Sequence, residues 1–148
     1  MPLIITSTIK KQIGTNIKYV QEVATIAYKN RIKKGGTLNC FLDKNFSAAV
    51  KATGKKNLII AGLTTDICLF HRVEGALAAS YNVQVVDDAC GSTTPLADQI
   101  MFNRLRGMGV VVTGANMVLT ELFTDFCIAD GQKAKKINQE VVVSKYGK

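Results

Sequence analysis

The chain has no tryptophan, one histidine, two prolines and only 7% aromatic residues. Each scarcity removes a class of function. With His71 alone, a histidine-rich metal site lacks ligands, and a Cys–His or Ser–His–Asp arrangement would hang on that one ring. Few aromatics leave few platforms on which bases could stack. The four cysteines, Cys40, Cys68, Cys90 and Cys127, are widely spaced and form no C-x-x-C pair. A chain of 148 residues does not need them as staples, so they read as reduced thiols. No apolar run reaches membrane length and no basic-then-apolar leader is present, so the expectation is a soluble, cytoplasmic protein with no membrane partner. No G-x-G-x-x-G follows the first strand and there is no Walker lysine loop; Gly35-Gly36 alone is weak evidence for phosphate.

What the chain does have is apolar mass and an uneven charge. Hydrophobic residues make up 47%, enough for one core. The expected organisation is a domain over residues 1–128 and a basic tail over 129–148. The net charge of +8 is split: residues 1–60 hold eleven Lys and Arg against two acids, residues 61–130 three against eight, and residues 131–148 five against one. A basic face could draw a polyanion. The lysines are dispersed, however, which favours a solvated surface and leaves a basic RNA-binding module as the weaker alternative.

Periodicity predicts alternating strands and helices. Residues 2–8 read as a short buried strand, with a loop at Gly14. Asn16 is placed to cap a helix to about Tyr28, with Ile17, Val20, Val23, Ala24 and Ala27 on one face. Residues 33–37 read as a flexible basic break. Asn45 is expected to cap a helix over 46–53 that stops at Gly54. A strand follows at 58–61, a helix at 66–80, and a strand at 83–86 closed by Asp87-Asp88. Residues 90–94 read as a loop, then comes a helix from Pro95 to about Arg106. Gly107 and Gly109 frame a turn into a strand at 110–112. A last helix starts at Thr113 or Asn116 and ends near Phe126. Val141-Val142-Val143 is a β-prone patch in a tail that is either disordered or pairs with another chain. The class is α/β with a largely parallel sheet.

The most informative stretch is 57–69, Asn-Leu-Ile-Ile-Ala-Gly-Leu-Thr-Thr-Asp-Ile-Cys-Leu. An apolar strand breaks at Gly62, and Thr64, Thr65 and Asp66 are all good helix caps. Cys68 then falls in the first turn of a helix, where unpaired N–H groups and the helix dipole favour a thiolate. Ligands of open α/β sheets bind at this end of the strands. The competing reading is a buried, inert cysteine.

Residues 51–68 resemble the isochorismatase-like cysteine hydrolase superfamily. Gly62, Thr65, Asp66 and Cys68 match its strand–turn–helix pattern, and Val85-Val86-Asp87-Asp88-Ala89-Cys90-Gly91, Asn103 to Gly109 and Thr120-Glu121-Leu122 fall where the family has its next strand, helix, glycine turn and last helix. The likeness covers about residues 2–126. It implies a Rossmann-like three-layer α/β/α sandwich and a hydrolase acting on a small amide, ester or vinyl-ether-like substrate. It further implies Cys68 as nucleophile and Lys34 as the active-site cation, with Lys33 as the alternative if the loop shifts by one. Asn39 and Phe41 are implied as substrate contacts. A cis peptide is implied at Leu63–Thr64, with the N–H groups of Thr64 and Cys68 as oxyanion donors. His71 could substitute as a base, but its helical spacing suits a helix-face residue better. Asp88 reads as a strand-end turn residue, and Cys40, Cys90 and Cys127 as packing residues. The family's metal-binding branch carries an Asp-x-His-x-His run near its second strand; residues 6–15 contain no His, so the resemblance implies no catalytic metal and argues against a nicotinamidase, and no cofactor is expected. Homo-oligomers are common in such families, and a homo-oligomer is expected here.

One departure stands out. The family's acid lies on an N-terminal strand, whereas here no Asp precedes Asp43. In a 3-2-1-4-5-6 sheet that first, central strand would lie between the strands at 2–8 and 58–61. The expectation is therefore a chain lacking that strand, through truncation, through direct pairing of its two neighbours, or with a partner supplying it. An inactive structural subunit is the alternative to an enzyme.

Overall fold

Buried apolar positions recur at helical spacing along several segments, and these become the helices of a computed structural model, which describes residues 1–8, 16 and 18–144, with Val142 described by its backbone alone. The loop expected at Gly14 and the face residue Ile17 lie outside the described residues. The chain divides into two compact units: Met1–Leu58 with Asp66–Val83, and Ile59–Thr65 with Gln84–Lys148.

In the first unit, β1 (Thr6–Thr8) pairs in parallel with β2 (Ile32–Lys34), Thr6 opposite Ile32 and Thr8 opposite Lys34. Between them lie α1 (Lys18–Val23) and α2 (Thr25–Lys29). One continuous helix from Asn16 was expected. Instead Ala24 leaves helical geometry (φ −120°, ψ 42°), and Asn16 spends its amide on the Thr6 carbonyl, 3.2 Å away. The expected flexible break at 33–37 is partly wrong, because Lys33 and Lys34 belong to β2. A ladder to a strand 26 residues away in sequence overrides local composition.

A 3₁₀ turn, Cys40–Leu42, leads into α3 (Lys44–Ala52). The cap is Asp43, not Asn45: Asp43 Oδ1 accepts from the N–H groups of Asn45 (2.9 Å) and Phe46 (3.1 Å). Asn45 is already inside the helix. Phe46 and Val50, four apart, face inward and pack with buried Cys40 against Ile4, Ile32, Phe41, Leu58 and Tyr81. The helix ends at the left-handed Gly54 (φ +64°), a conformation that favours glycine. The helix predicted to begin at Asp66 opens instead with a π-helical turn, Thr65–Leu69, and continues as α4 (Phe70–Ala78). Leu69, Phe70, Val73 and Ala76 are buried. Each of the larger ones contributes about 1.5–3 kcal/mol by leaving water.

β3 (Asn57–Leu63), β4 (Asn82–Gly91) and β5 (Val111–Thr113) form a second sheet in that order. β4 and β5 are parallel, with Gln84 opposite Val111 and Val86 opposite Thr113. β4 runs past Asp87-Asp88 through Gly91, so Cys90 and Gly91 are strand rather than loop. Among the described residues β1 pairs with β2 and β3 with β4, so the strands flanking the expected central position do not pair with each other.

In the second unit, α5 (Pro95–Gly107) has Pro in its first turn, and Thr94 Oγ1 accepts from the Ala97 N–H at 3.2 Å. Met101 and Leu105 form its buried stripe. α6 (Ala115–Leu122) is shorter than predicted; Asp88 Oδ1 accepts from the Ala115 N–H at 2.8 Å. α7 (Ala129–Ile137) buries Gly131 and Ala134, and a π-helical turn, Asn138–Val143, continues it. The tail is therefore helical where described, and Val141–Val143 is not a strand. Among the described residues no helix is long and apolar enough to cross a membrane. The fold class is α/β, with parallel pairing in both ladders for which direction is defined.

Candidate active site

The strand β3 delivers the central segment. It ends at Leu63, which is 68% exposed, and the peptide bond from Leu63 to Thr64 is cis, at the bond the resemblance singles out. Gly62 has φ +135°, a backbone that only glycine adopts readily. Thr65 follows, fully buried. Its hydroxyl lies beside the Asp98 carboxyl. Partial burial would raise that carboxyl's pKa. Hydrogen bonds from the Thr65 hydroxyl and from the Ser92 backbone and side chain outweigh this and hold it below the usual carboxylate value. Asp98 lies in the second unit, and nothing in the sequence marks it beyond its place in the first turn of α5.

In the first unit, Cys68 sits half-buried in the π-helical turn that opens α4. Such turns are frequent at functional sites. Lys34, at the end of β2, is only 4% exposed. Its Nζ donates to the Thr37 carbonyl at 2.5 Å, and among the described residues no carboxylate pairs with it. Lys34 and Cys68 do not hydrogen-bond to each other. Lys33, its neighbour on β2, is exposed.

Asn39 and Phe41 are joined directly. Asn39 Oδ1 accepts from the Phe41 N–H at 2.9 Å and caps the 3₁₀ turn. The Phe41 ring packs edge-on to Phe46 (5.2 Å between centroids) and tilted against Tyr81 (5.7 Å). Phe41 is thus tied into the apolar cluster. His71 is half-buried on α4 with Nδ1 2.8 Å from Glu74 Oε2, and its ring meets that of Phe70 at 5.3 Å between centroids. Cys40 is fully buried, Cys90 half-buried and Cys127 exposed.

Two residues of this region carry no catalytic motif and escape a motif reading. Arg72 Nε donates to Cys40 Sγ at 3.2 Å, and Arg72 Nη2 donates to Thr6 Oγ1 at 3.2 Å. Gly75 lies in mid-helix against Asn39. A glycine inside a helical pattern is the available signal, since it costs helix stability unless packing requires it. Among the described residues no group of three or more His, Cys, Asp or Glu is placed to hold a metal.

Comparison with known proteins gives the family. The Isochorismatase domain profile matches residues 12–117, well over half of the chain, and the protein belongs to the isochorismatase family. A relative from Escherichia coli (strain K12), "Probable hydrolase YcaC", is 32% identical over 127 residues, covering 85% of this chain and 60% of its own. The structure of YcaC from Pseudomonas aeruginosa, solved with hexane-2,5-diol and covalent acrylamide, superposes with a TM-score of 0.79 at 32% identity, over 86% of this chain and 63% of the other. The Escherichia coli YcaC gene product, described as an octameric hydrolase of unknown specificity, gives 0.79 at 28% identity, over 87% and 63%. The chain thus spans about 60% of the length of these relatives.

Proposed function

We propose that this chain carries the nucleophile of an isochorismatase-family cysteine hydrolase acting on a small amide, ester or vinyl-ether-like substrate. The observation that carries the reading is Lys34: a lysine 4% exposed, whose ammonium donates to the Thr37 carbonyl and, among the described residues, meets no carboxylate. A buried cation is costly unless an anion answers it. A thiolate at Cys68, in the same unit, or an anion formed on the substrate would supply that charge. The covalent acrylamide in the Pseudomonas aeruginosa relative supports the reading, because acrylamide is an electrophile that thiolates add to.

In the reaction with an amide or ester, the Cys68 thiolate attacks the carbonyl carbon. The C–S bond forms as the π pair moves to oxygen. The Thr64 and Cys68 N–H groups are the proposed donors to that oxyanion. Collapse of the intermediate restores the carbonyl and expels the amine or alcohol, which takes up a proton. Water then attacks the thioester, releasing the acid and regenerating the thiol. The first proton needs an acceptor. No Asp precedes Asp43 in this sequence, so the acid implied by the resemblance is not among these residues. A second reading is a structural subunit without turnover, which the octameric state of the Escherichia coli relative favours. The octameric relative supports assembly as a homo-oligomer.

The test is hydrolysis of a panel of small amides and esters by the chain as given and by a version extended with an Asp-bearing N-terminal strand, each with and without Cys68→Ala. Activity that the Asp-bearing strand raises and Cys68→Ala abolishes supports the hydrolase. Activity that survives Cys68→Ala refutes the nucleophile. No hydrolysis in either background leaves the structural-subunit reading.

A further inference from the structure

The helix α4 that follows Cys68 touches the segment that follows Lys34 at two points, both within the first unit. One is a missing side chain. A Cβ placed on Gly75 would lie 2.2 Å from Asn39 Oδ1 and 2.8 Å from both Asn39 Cγ and Nδ2. These distances are below van der Waals contact, so the Asn39 amide occupies the space a side chain at 75 would fill. From that seat Asn39 Oδ1 holds the Phe41 N–H at 2.9 Å. The other point is Arg72, which bonds the sulfur of Cys40, the residue between them, and ties it to Thr6 on β1. Phe41 is held from its other side by Ser47, whose hydroxyl donates to the Phe41 carbonyl.

We infer that the Gly75–Asn39 seat, with the Arg72–Cys40 contact beside it, is a positioning device that sets the Lys34–Phe41 segment against the helix that follows Cys68. Gly75, Asn39 and Arg72 are positioning residues: they act through Lys34 and Cys68 rather than on substrate. The inference rests on the hydrolase reading for its chemical consequence, though not for the contact itself. Glycine in mid-helix is less favourable than alanine, so its presence at 75 answers a need that the Asn39 amide explains. The obstacle to a side chain at 75 is the tip of a flexible Asn, not backbone. Gly75→Ala therefore folds, and the strain is relieved by swinging Asn39 off Phe41.

The experiment uses two readouts on the wild type, Gly75→Ala, Asn39→Ala and the double variant. The first is hydrogen exchange at the Phe41 amide, which is independent of Cys68 chemistry. Exchange is expected to quicken about tenfold or more in each variant as the bond to Asn39 is lost. The second is the ratio of Cys68 alkylation rates by anionic iodoacetate and neutral iodoacetamide, which reports positive charge at the thiol. The ratio is expected to fall about threefold in each variant, and likewise in Lys34→Gln, as the cation loses its placement. Because one contact is at stake, the double variant should match either single one. An unchanged Phe41 exchange rate in folded Gly75→Ala overturns the inference, as does full additivity of Gly75→Ala and Asn39→Ala. A wild-type ratio at Cys68 no higher than at exposed Cys127 overturns the hydrolase reading instead, and Phe41 exchange still decides the seat.

Discussion

Gly131→Ala is the sharpest test of the C-terminal region, because two effects of opposite sign meet there. Gly131 is buried in the first turn of α7. Replacing a helical Gly by Ala on a free helix stabilises it by about 1 kcal/mol. Here the new Cβ would lie 1.8 Å from the Asp125 carbonyl oxygen, 2.8 Å from its carbon and 2.9 Å from Phe126 Cα. All three atoms are backbone, so no rotamer change clears them. Backbone must move by more than an ångström, and overpacking of this kind costs about 1–3 kcal/mol or more. The clash therefore outweighs the propensity gain. The cost cannot exceed the free energy of undocking α7, which would expose Ala134, 2% exposed in the folded protein. A net loss of about 1–2 kcal/mol lowers Tm by about 2–8 °C in a chain this size. Thermal unfolding by circular dichroism measures it, and limited trypsinolysis at Lys133, Lys135 and Lys136 reports undocking. An unchanged or raised Tm would refute the docked helix and restore the disordered tail suggested by composition.

Other outcomes follow from the same contacts. Asp43→Ala removes an acceptor shared by two N–H groups and should cost about 1 kcal/mol, while Asn45→Ala, inside α3, should be near neutral; urea melts separate the two caps. Asp98 has a folded pKa below its ordinary value, so its contribution to stability is present above about pH 4 and is lost as pH falls through the lowered value. Asp98→Asn should accordingly be less stable than the wild type at pH 7, with the gap closing in acid melts below pH 4. Lys34→Met removes a buried cation while keeping its apolar stem, and should leave Tm unchanged or higher while slowing Cys68 alkylation. A large loss of stability without slower alkylation would make Lys34 a structural residue only.

How far the sequence carries can be judged from particular residues. The strand–turn–Cys68–helix segment is legible because its signals are local: an apolar run, a glycine break and capping residues within thirteen positions. The Pro95 helix is legible for the same reason. What escapes is non-local. Residues 33–37 look like a basic break until β1 supplies a ladder to Lys33 and Lys34, and only that ladder turns Lys34 inward. Residue type does not separate the Asp43 cap from its neighbour Asn45, two positions along and equally suited. The Val141–Val143 patch is helical because it extends a helix already docked through Gly131 and Ala134, and β-branching is a weak preference against that. In the candidate site, the Gly75–Asn39 seat joins residues 36 positions apart and is marked in the sequence only by an otherwise unexplained helical glycine.

The central claim is an activated thiol at Cys68, and competitive alkylation of the folded protein by iodoacetamide near neutral pH tests it most directly. Accessibility alone ranks exposed Cys127 ahead of half-buried Cys68. An activated Cys68 reverses that order and reacts first, with Cys40 last. Cys127 reacting as fast as Cys68 or faster would contradict the claim.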